Sequence, residues 1–276
     1  MMFESNAGLN SGFKTPFTTT KTILSDHVSS FGASPFLAES SDETVSTHSG
    51  TDDDSGDSQS DEDSPCTVFY GANVTELGNK AELYIANLGH PFIGICEPHR
   101  AGTERKAIQQ RLRKSHLVGA WSADAVVLHS VGRDAQNIVG EYAQSELCDG
   151  SFDLGPWVAT RVRLRGVSLV CIVGYLRHSI GLTGENYLRL EQLSALLAVL
   201  KQPAIIFADW NIDASAFNQD WLGQQQLELL APTNVSHTCR AGKKQLLDYF
   251  LVSRCLQPTF TSCVADLEVP WGPHYG

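Results

Sequence analysis

Ala204-Ile205-Ile206-Phe207-Ala208-Asp209-Trp210-Asn211 is an apolar run that ends on a carboxylate and, two residues later, a carboxamide. A continuous apolar stretch of this kind reads as a strand buried on both faces. Just upstream, Glu185–Leu200 reads as a helix, because Leu193, Leu196, Leu197 and Leu200 recur at i, i+3, i+4 and i+7. Pro203 closes it. A helix feeding a buried strand that ends in polar residues is the layout of an α/β domain, where sites gather at strand ends.

Further elements follow on both sides. Thr67–Val74 is β-rich, and Phe92–Glu97 is a short apolar run ending in a carboxylate. Between them Asn79–Leu88 reads as a helix with Leu83, Ala86 and Asn87 on one face. Thr103–His116 reads as a basic helix, whose charges are taken as a solvated face rather than a phosphate-binding one. Ala125–His129 is a weak strand candidate, and Ser122–Phe152 as a whole is poor in strand pattern. Val158–Leu164 alternates, with Arg161 and Arg163 opposite the apolar positions, and Val167–Leu176 completes a hairpin through Arg165-Gly166. Trp221–Leu230 reads as helical or mixed, and Leu246–Val252 as a strand with Asp248 inside it. Strands separated by helices and hairpins predict an α/β domain with mixed sheets.

Composition separates the chain into two parts. Residues 1–64 hold twelve of its 31 acidic and two of its 20 basic residues, so nearly all of the net charge of -11 lies there. The stretch Ser49–Pro65 contains no apolar residue other than proline and glycine, and cannot bury enough surface to offset the entropy of ordering. Residues 1–64 are therefore expected to be a disordered acidic Ser/Asp-rich tail, and residues 65–276 a near-neutral domain. The seven cysteines are odd in number and lack a CxxC, which predicts free thiols in a reducing compartment. No apolar run approaches the roughly 18 residues of a membrane span, and no secretory leader is evident. The expectation is a soluble intracellular protein with no membrane partner; the nucleus stays open, although no Lys/Arg cluster points to it. No HExxH, GxSxG or P-loop occurs. The five tryptophans read as core, with Trp210 the one candidate stacking platform.

Three carboxylates stand at or inside buried strands: Glu97, Asp209 and Asp248. Such groups are costly unless paired, hydrogen-bonded or metal-bound. Taken alone, Asp248 reads equally well as a hydrogen-bonded buried acid and Glu97 as a solvated strand end. His99, two residues past Glu97, reads as a surface-loop residue.

The ordered set is more telling. Gly71-Ala72-Asn73-Val74, Ile95-Cys96-Glu97-Pro98-His99, Val173-Gly174-Tyr175-Leu176, Ala208-Asp209-Trp210-Asn211, Leu247-Asp248-Tyr249-Phe250-Leu251-Val252-Ser253 and Gly272-Pro273-His274 occur in this order. Together they resemble the motifs of the endonuclease/exonuclease/phosphatase (DNase I-like) superfamily, most of all its retrotransposon-type or protist multigene members. The resemblance covers roughly residues 67–276. It implies a four-layer sandwich of two mixed β-sheets flanked by helices, and Mg²⁺-dependent phosphodiester hydrolysis, with Mn²⁺ as a substitute ion. The implied partner is nucleic acid, DNA ahead of RNA, with no obligate protein partner.

The resemblance also implies roles. Glu97 would ligate Mg²⁺, and Asn73 would help hold the metal or the phosphate. Asp209 would orient or deprotonate the attacking water. Asn211, in an extended segment, would point to the same side and donate to a phosphate oxygen. Tyr175 would donate its hydroxyl to the phosphate. His274 would donate to the developing phosphorane, with Asp248 fixing its tautomer. Three departures stand out. Pro273 occupies the place of a family Asp, which implies weaker Mg²⁺ binding. Ala208 replaces a Gly, and the sequence stops shortly after His274. Alternative readings are a phosphatase for a phosphorylated small molecule or lipid headgroup, and a catalytically inactive remnant of a mobile element.

Overall fold

The computed structural model describes residues 22–24, 67–140, 155–164 and 166–276. In chain order the elements are β1 (Thr22–Leu24), β2 (Thr67–Asn73), α1 (Asn79–Asn87), β3 (Phe92–Cys96), α2 (Gly102–Lys114), β4 (Leu117–Trp121), β5 (Ala125–Ser130), β6 (Ala135–Val139), β7 (Val158–Leu164), β8 (Val167–Tyr175), α3 (Gly184–Leu200), β9 (Ala204–Asp209), α4 (Gln219–Gln224), β10 (Leu227–Leu230), β11 (Asp248–Ser253) and β12 (Phe260–Ser262). They form two sheets, ordered β12-β1-β2-β3-β5-β4 and β10-β11-β9-β8-β7-β6. Each is mixed: β2/β3 and β8/β9 are parallel, and the remaining pairs are antiparallel.

Strand alternation sorts the side chains into three apolar layers. In β9, Ile205 and Phe207 face the other sheet, while Ala204, Ile206 and Ala208 face α3. The strand is covered on both sides, which is why its sequence is uniformly apolar. Leu190, Leu193 and Leu196 of α3 complete the outer layer on that sheet. On the other, Ile93 and Ile95 of β3 pack with Ile85 of α1 and with Ile108 and Leu112 of α2. Between the sheets lie Phe69, Phe92, Val127, Val173, Phe207 and Phe250. The expected four-layer sandwich is the observed one.

Two glycines let the sheets approach closely. A Cβ on Gly71 would sit 2.3 Å from Phe207 Cδ2, and one on Gly94 would sit 2.7 Å from Val173 Cγ2. Only glycine tolerates that approach. Gly71 lies two residues before Asn73, and Phe207 two residues before Asp209, so the contact draws those two strand ends together.

Several expectations need correction. Within Ser122–Phe152, where the strand pattern is poor, the described residues carry two strands: β5 at the weak candidate Ala125–His129, and β6, which was not anticipated. β5 is buried on both faces and so lacks alternation, and β6 is a polar edge strand. β4 and β12 were not anticipated. Trp221–Leu230 divides into the end of α4 and the strand β10. The buried face of α1 is Ala81, Glu82 and Ile85, whereas Leu83 is exposed. Glu82 can face inward because Arg111 of α2 grips both its oxygens at 2.6 and 2.7 Å. Trp210 is no stacking platform. It is fully buried, stacks on Tyr249 and donates its indole N–H to the Tyr249 carbonyl at 3.0 Å.

The expected disordered tail lies outside the described residues, apart from Thr22–Leu24, which adds a strand between β2 and β12. The hairpin turn keeps Leu164 paired with Val167, with Gly166 at φ 83°; Arg165 is outside the described residues. None of the five described cysteines forms a disulfide. Among the described residues no helix is long and apolar enough to cross a membrane.

Candidate active site

Five of the seven expected residues stand at the ends of neighbouring strands. Asn73 ends β2 and Glu97 follows β3 on one sheet; Tyr175 ends β8, Asp209 ends β9 and Asp248 begins β11 on the other. Backbone register aligns the second group, since Asp209 is opposite Asp248 in the antiparallel pair and beside Tyr175 in the parallel one.

Asn73 joins the two sheets. It is fully buried, and its Nδ2 donates to Glu97 Oε2 and to Asp209 Oδ2, both at 2.8 Å. Its Oδ1 accepts the Thr75 backbone N–H at 2.9 Å. Asn73 is thus a bridge between two carboxylates, with its oxygen engaged elsewhere, rather than a second metal ligand as arranged. Beneath it, the Cys96 thiol donates to the Gly174 carbonyl at 3.0 Å and accepts the Asp209 N–H at 3.3 Å. Burial pushes that thiol's pKa up, so it stays a neutral donor.

His274 reaches the site on a separate segment. Its Nδ1 is 2.7 Å from Asp248 Oδ2, and both residues are buried. The loop before β11 fixes this segment. Thr238 O accepts the Tyr275 N–H at 3.0 Å, and Pro273 O accepts the Arg240 N–H at 2.9 Å. Thr238 Oγ1 accepts the Leu247 and Asp248 N–H groups at 2.9 Å each. Neither Thr238 nor Arg240 carried a sequence signal, because their partners are backbone groups that no motif records.

Charge in the cleft is one-sided. Asp209 is raised well above the usual carboxylate range by burial and by Asp248 and Glu97; His274 and the Asn211 N–H pull it back. Burial alone would lower His274, but Asp248, the hydrogen bond to it, Asp209 and Glu97 push it up to about 9. It is therefore an imidazolium at neutral pH, held at one nitrogen and able to donate from the other. Burial and then Glu97 and Asp209 raise Tyr175, whose hydroxyl hydrogen-bonds Glu97.

Asn211 differs from the expectation. Strand β9 stops at Asp209, and Asn211 is left-handed at φ 49°, so the segment is not extended. Its N–H donates to Asp209 Oδ1 at 3.0 Å and its Nδ2 to the Leu176 carbonyl at 2.7 Å. It braces Asp209, with one amide hydrogen to spare. His99, read as a surface-loop residue, is half-exposed and also stands 3.5 Å from Glu97 Oε1.

Two donor groupings could in principle hold a cation. Asp209, Asp248 and His274 offer atoms within 4.8 Å of one another. In that cluster His274 Nδ1 and Asp248 Oδ2 already pair, while Asp248 Oδ1 is buried without a hydrogen-bond partner. Glu97 suits a hard ion better: its side chain is partly exposed, Oε2 is held by Asn73, Oε1 faces His99, and water can complete the shell.

No family model and no curated protein matches the sequence. Solved structures do match. The endonuclease domain of TRAS1, a telomere-specific non-LTR retrotransposon, superposes with a TM-score of 0.52 at 15% identity, covering 74% of this chain and 93% of its own. The chain has the endonuclease/exonuclease/phosphatase fold. The 3′ phosphatase NExo from Neisseria, bound to product DNA hairpin, gives 0.52 at 14% identity over 74% and 95%. An AP endonuclease from Archaeoglobus fulgidus gives 0.51 at 15% over 74% and 95%. Identities this low establish a shared endonuclease/exonuclease/phosphatase-type sandwich and nothing about chemistry.

Proposed function

We propose that the chain is a divalent-metal-dependent phosphodiesterase that cleaves nucleic acid, DNA in the first instance. The observation that carries this reading is the junction at Asn73. One carboxamide ties Glu97 of one sheet to Asp209 of the other, beside the Asp248–His274 pair. Phosphodiester hydrolysis needs charge neutralisation, an aligned water and stabilisation of an anionic transition state, and these residues divide that work.

Glu97 would hold the cation, which when bound neutralises and polarises the phosphoryl oxygens. Asp209 would orient the attacking water and take its proton, a role suited to a carboxylate of raised proton affinity. His274, kept cationic and fixed at Nδ1 by Asp248, would donate from Nε2 to the oxygen that gains charge. Asn211 would hold Asp209 and offer its spare N–H to a phosphate oxygen. Tyr175 would stay a neutral phenol, placing Glu97 and reaching the phosphate. The three similar structures are named as two endonucleases and a phosphatase bound to DNA, which supports a nucleic-acid substrate over a small phosphoester.

Nicking of supercoiled plasmid is the test. Wild-type protein should nick with Mg²⁺ or Mn²⁺ and stop in EDTA, and Glu97→Ala and His274→Ala should each lose about 10²–10³-fold. Unchanged nicking in both variants rejects the reading. Hydrolysis of small phosphoesters with none of DNA would move it to the phosphatase alternative.

A further inference from the structure

The segment Glu97-Pro98-His99 is a strained turn held from several sides. Glu97 and His99 both lie in the left-handed region, at φ 52° and 44°. For residues with a Cβ this conformation costs about 1–2 kcal/mol each. Surrounding bonds fix it. Glu97 N–H donates to the Asp124 carbonyl at 2.9 Å, and Leu77 N–H to the Pro98 carbonyl at 3.0 Å. Arg100 Nε donates to the Leu77 carbonyl at 3.0 Å while its guanidinium pairs with Glu76 and Glu104. Strain maintained by this many partners is characteristic of functional sites.

The turn brings two different donor atoms side by side. His99 Nε2 faces Glu97 Oε1 at 3.5 Å, long for a charge-assisted hydrogen bond, which runs at about 2.7–2.9 Å. Two ligands on adjacent positions of an octahedral ion, with bonds of about 2.1 Å, lie about 3 Å apart. The observed gap needs only a small closure, and the His99 ring is half-exposed. Glu97 Oε2 is meanwhile held by Asn73, and Oε1 is the oxygen that faces His99.

We propose that Glu97 and His99 together form a mixed oxygen–nitrogen site that selects a first-row divalent transition ion over Mg²⁺. This rests on the reading of Glu97 as the cation-binding residue and adds the class of ion. Mg²⁺ takes oxygen ligands and gains nothing from an imidazole, whereas transition ions bind imidazole nitrogen readily.

The test is Mn²⁺ binding to the full chain, read by electron paramagnetic resonance, with Mg²⁺ as competitor. Wild-type protein should bind Mn²⁺ with a ¹⁴N coupling from an imidazole. His99→Ala should lose that coupling and about 10-fold in Mn²⁺ affinity, and move Mg²⁺ affinity less than about two-fold. His99→Asp, which restores an oxygen ligand, should narrow the gap between the two ions. His274→Ala should keep the coupling. A coupling that survives His99→Ala, or an unchanged Mn²⁺ affinity, overturns the proposal. If Glu97→Ala still abolishes binding in that case, the cation reading of Glu97 stands and only His99 is removed from it. No Mn²⁺ uptake by wild-type protein overturns both.

Discussion

The two halves of the cleft are built differently. On the first sheet Glu97 and His99 sit on a strained turn, partly open to solvent. On the second, Asp209, Asp248 and His274 are all buried, and their charges act on one another. The open half resembles a place where an ion and its water shell come and go. The closed half manages protons, because burial makes ionisation depend on neighbours. Asn73 touches both, and it is the only one of the seven expected residues with no exposed surface. A cleft divided in this way lets cation binding and proton transfer be perturbed separately.

The largest expected effect is on the closed half. Asp209→Asn keeps the shape and removes the base, so the rate of DNA cleavage should fall about 10³-fold. The same substitution removes a buried charge beside Asp248, but both Asp209 oxygens accept N–H groups, from Asn73 and Asn211, so the new amide sets one N–H against a donor. The two effects oppose, and in the absence of metal the melting temperature should move by less than the equivalent of about 1–3 kcal/mol. Undiminished cleavage by this variant would break the contrast between the halves.

Next is the contact that joins them. Gly71→Ala would place a methyl against Phe207 and push the sheets apart where Asn73 and Asp209 meet. Denaturant unfolding should show a loss of about 1–3 kcal/mol, and cleavage should slow although no polar residue has changed. Undiminished activity would mean that the junction does not depend on this approach.

The smallest effect is the pH response of the metal-free protein. His274 is raised to about 9 in the folded chain, above its ordinary value of 6.5. Its contribution to stability is thus fully present below pH 6.5 and is lost as pH rises through 9. Asp209, also raised, has the same sign. Thermal unfolding in EDTA should show a falling melting temperature between pH 6.5 and 9, and Asp248→Asn should flatten it. A flat wild-type profile would show that the buried charges are not coupled as described.

Much of this was legible in sequence because buried strands record both faces. β9 reads as an apolar run ending at Asp209, and Leu246–Val252 reads as a strand with Asp248 inside it, where the observed β11 begins only at Asp248. These runs and the leucine spacing of α3 point to an α/β domain with mixed sheets, and the four layers come from the resemblance of the ordered motifs. What the sequence concealed depends on backbone. Asn211 turns left-handed just where an extended reading would aim it at the phosphate. The loop groups Thr238 and Arg240 hold the His274 segment through carbonyls and N–H groups. β5 read only weakly because it is covered on both faces, and β6 went unread because it is a polar edge. Asn73 was visible as a site residue, but its bonds to both sheets were not, since nothing local predicts a partner 136 residues away.

The central claim is that the two halves act as one catalytic unit, and a double-mutant cycle on cleavage rate tests it most directly. Glu97→Gln, His274→Gln and the double variant would be compared on one labelled DNA duplex under saturating divalent cation. Groups that act as a unit are not additive. The double variant should therefore be about as slow as the slower single variant. A loss equal to the product of the two single losses would show two independent contributions and contradict the account.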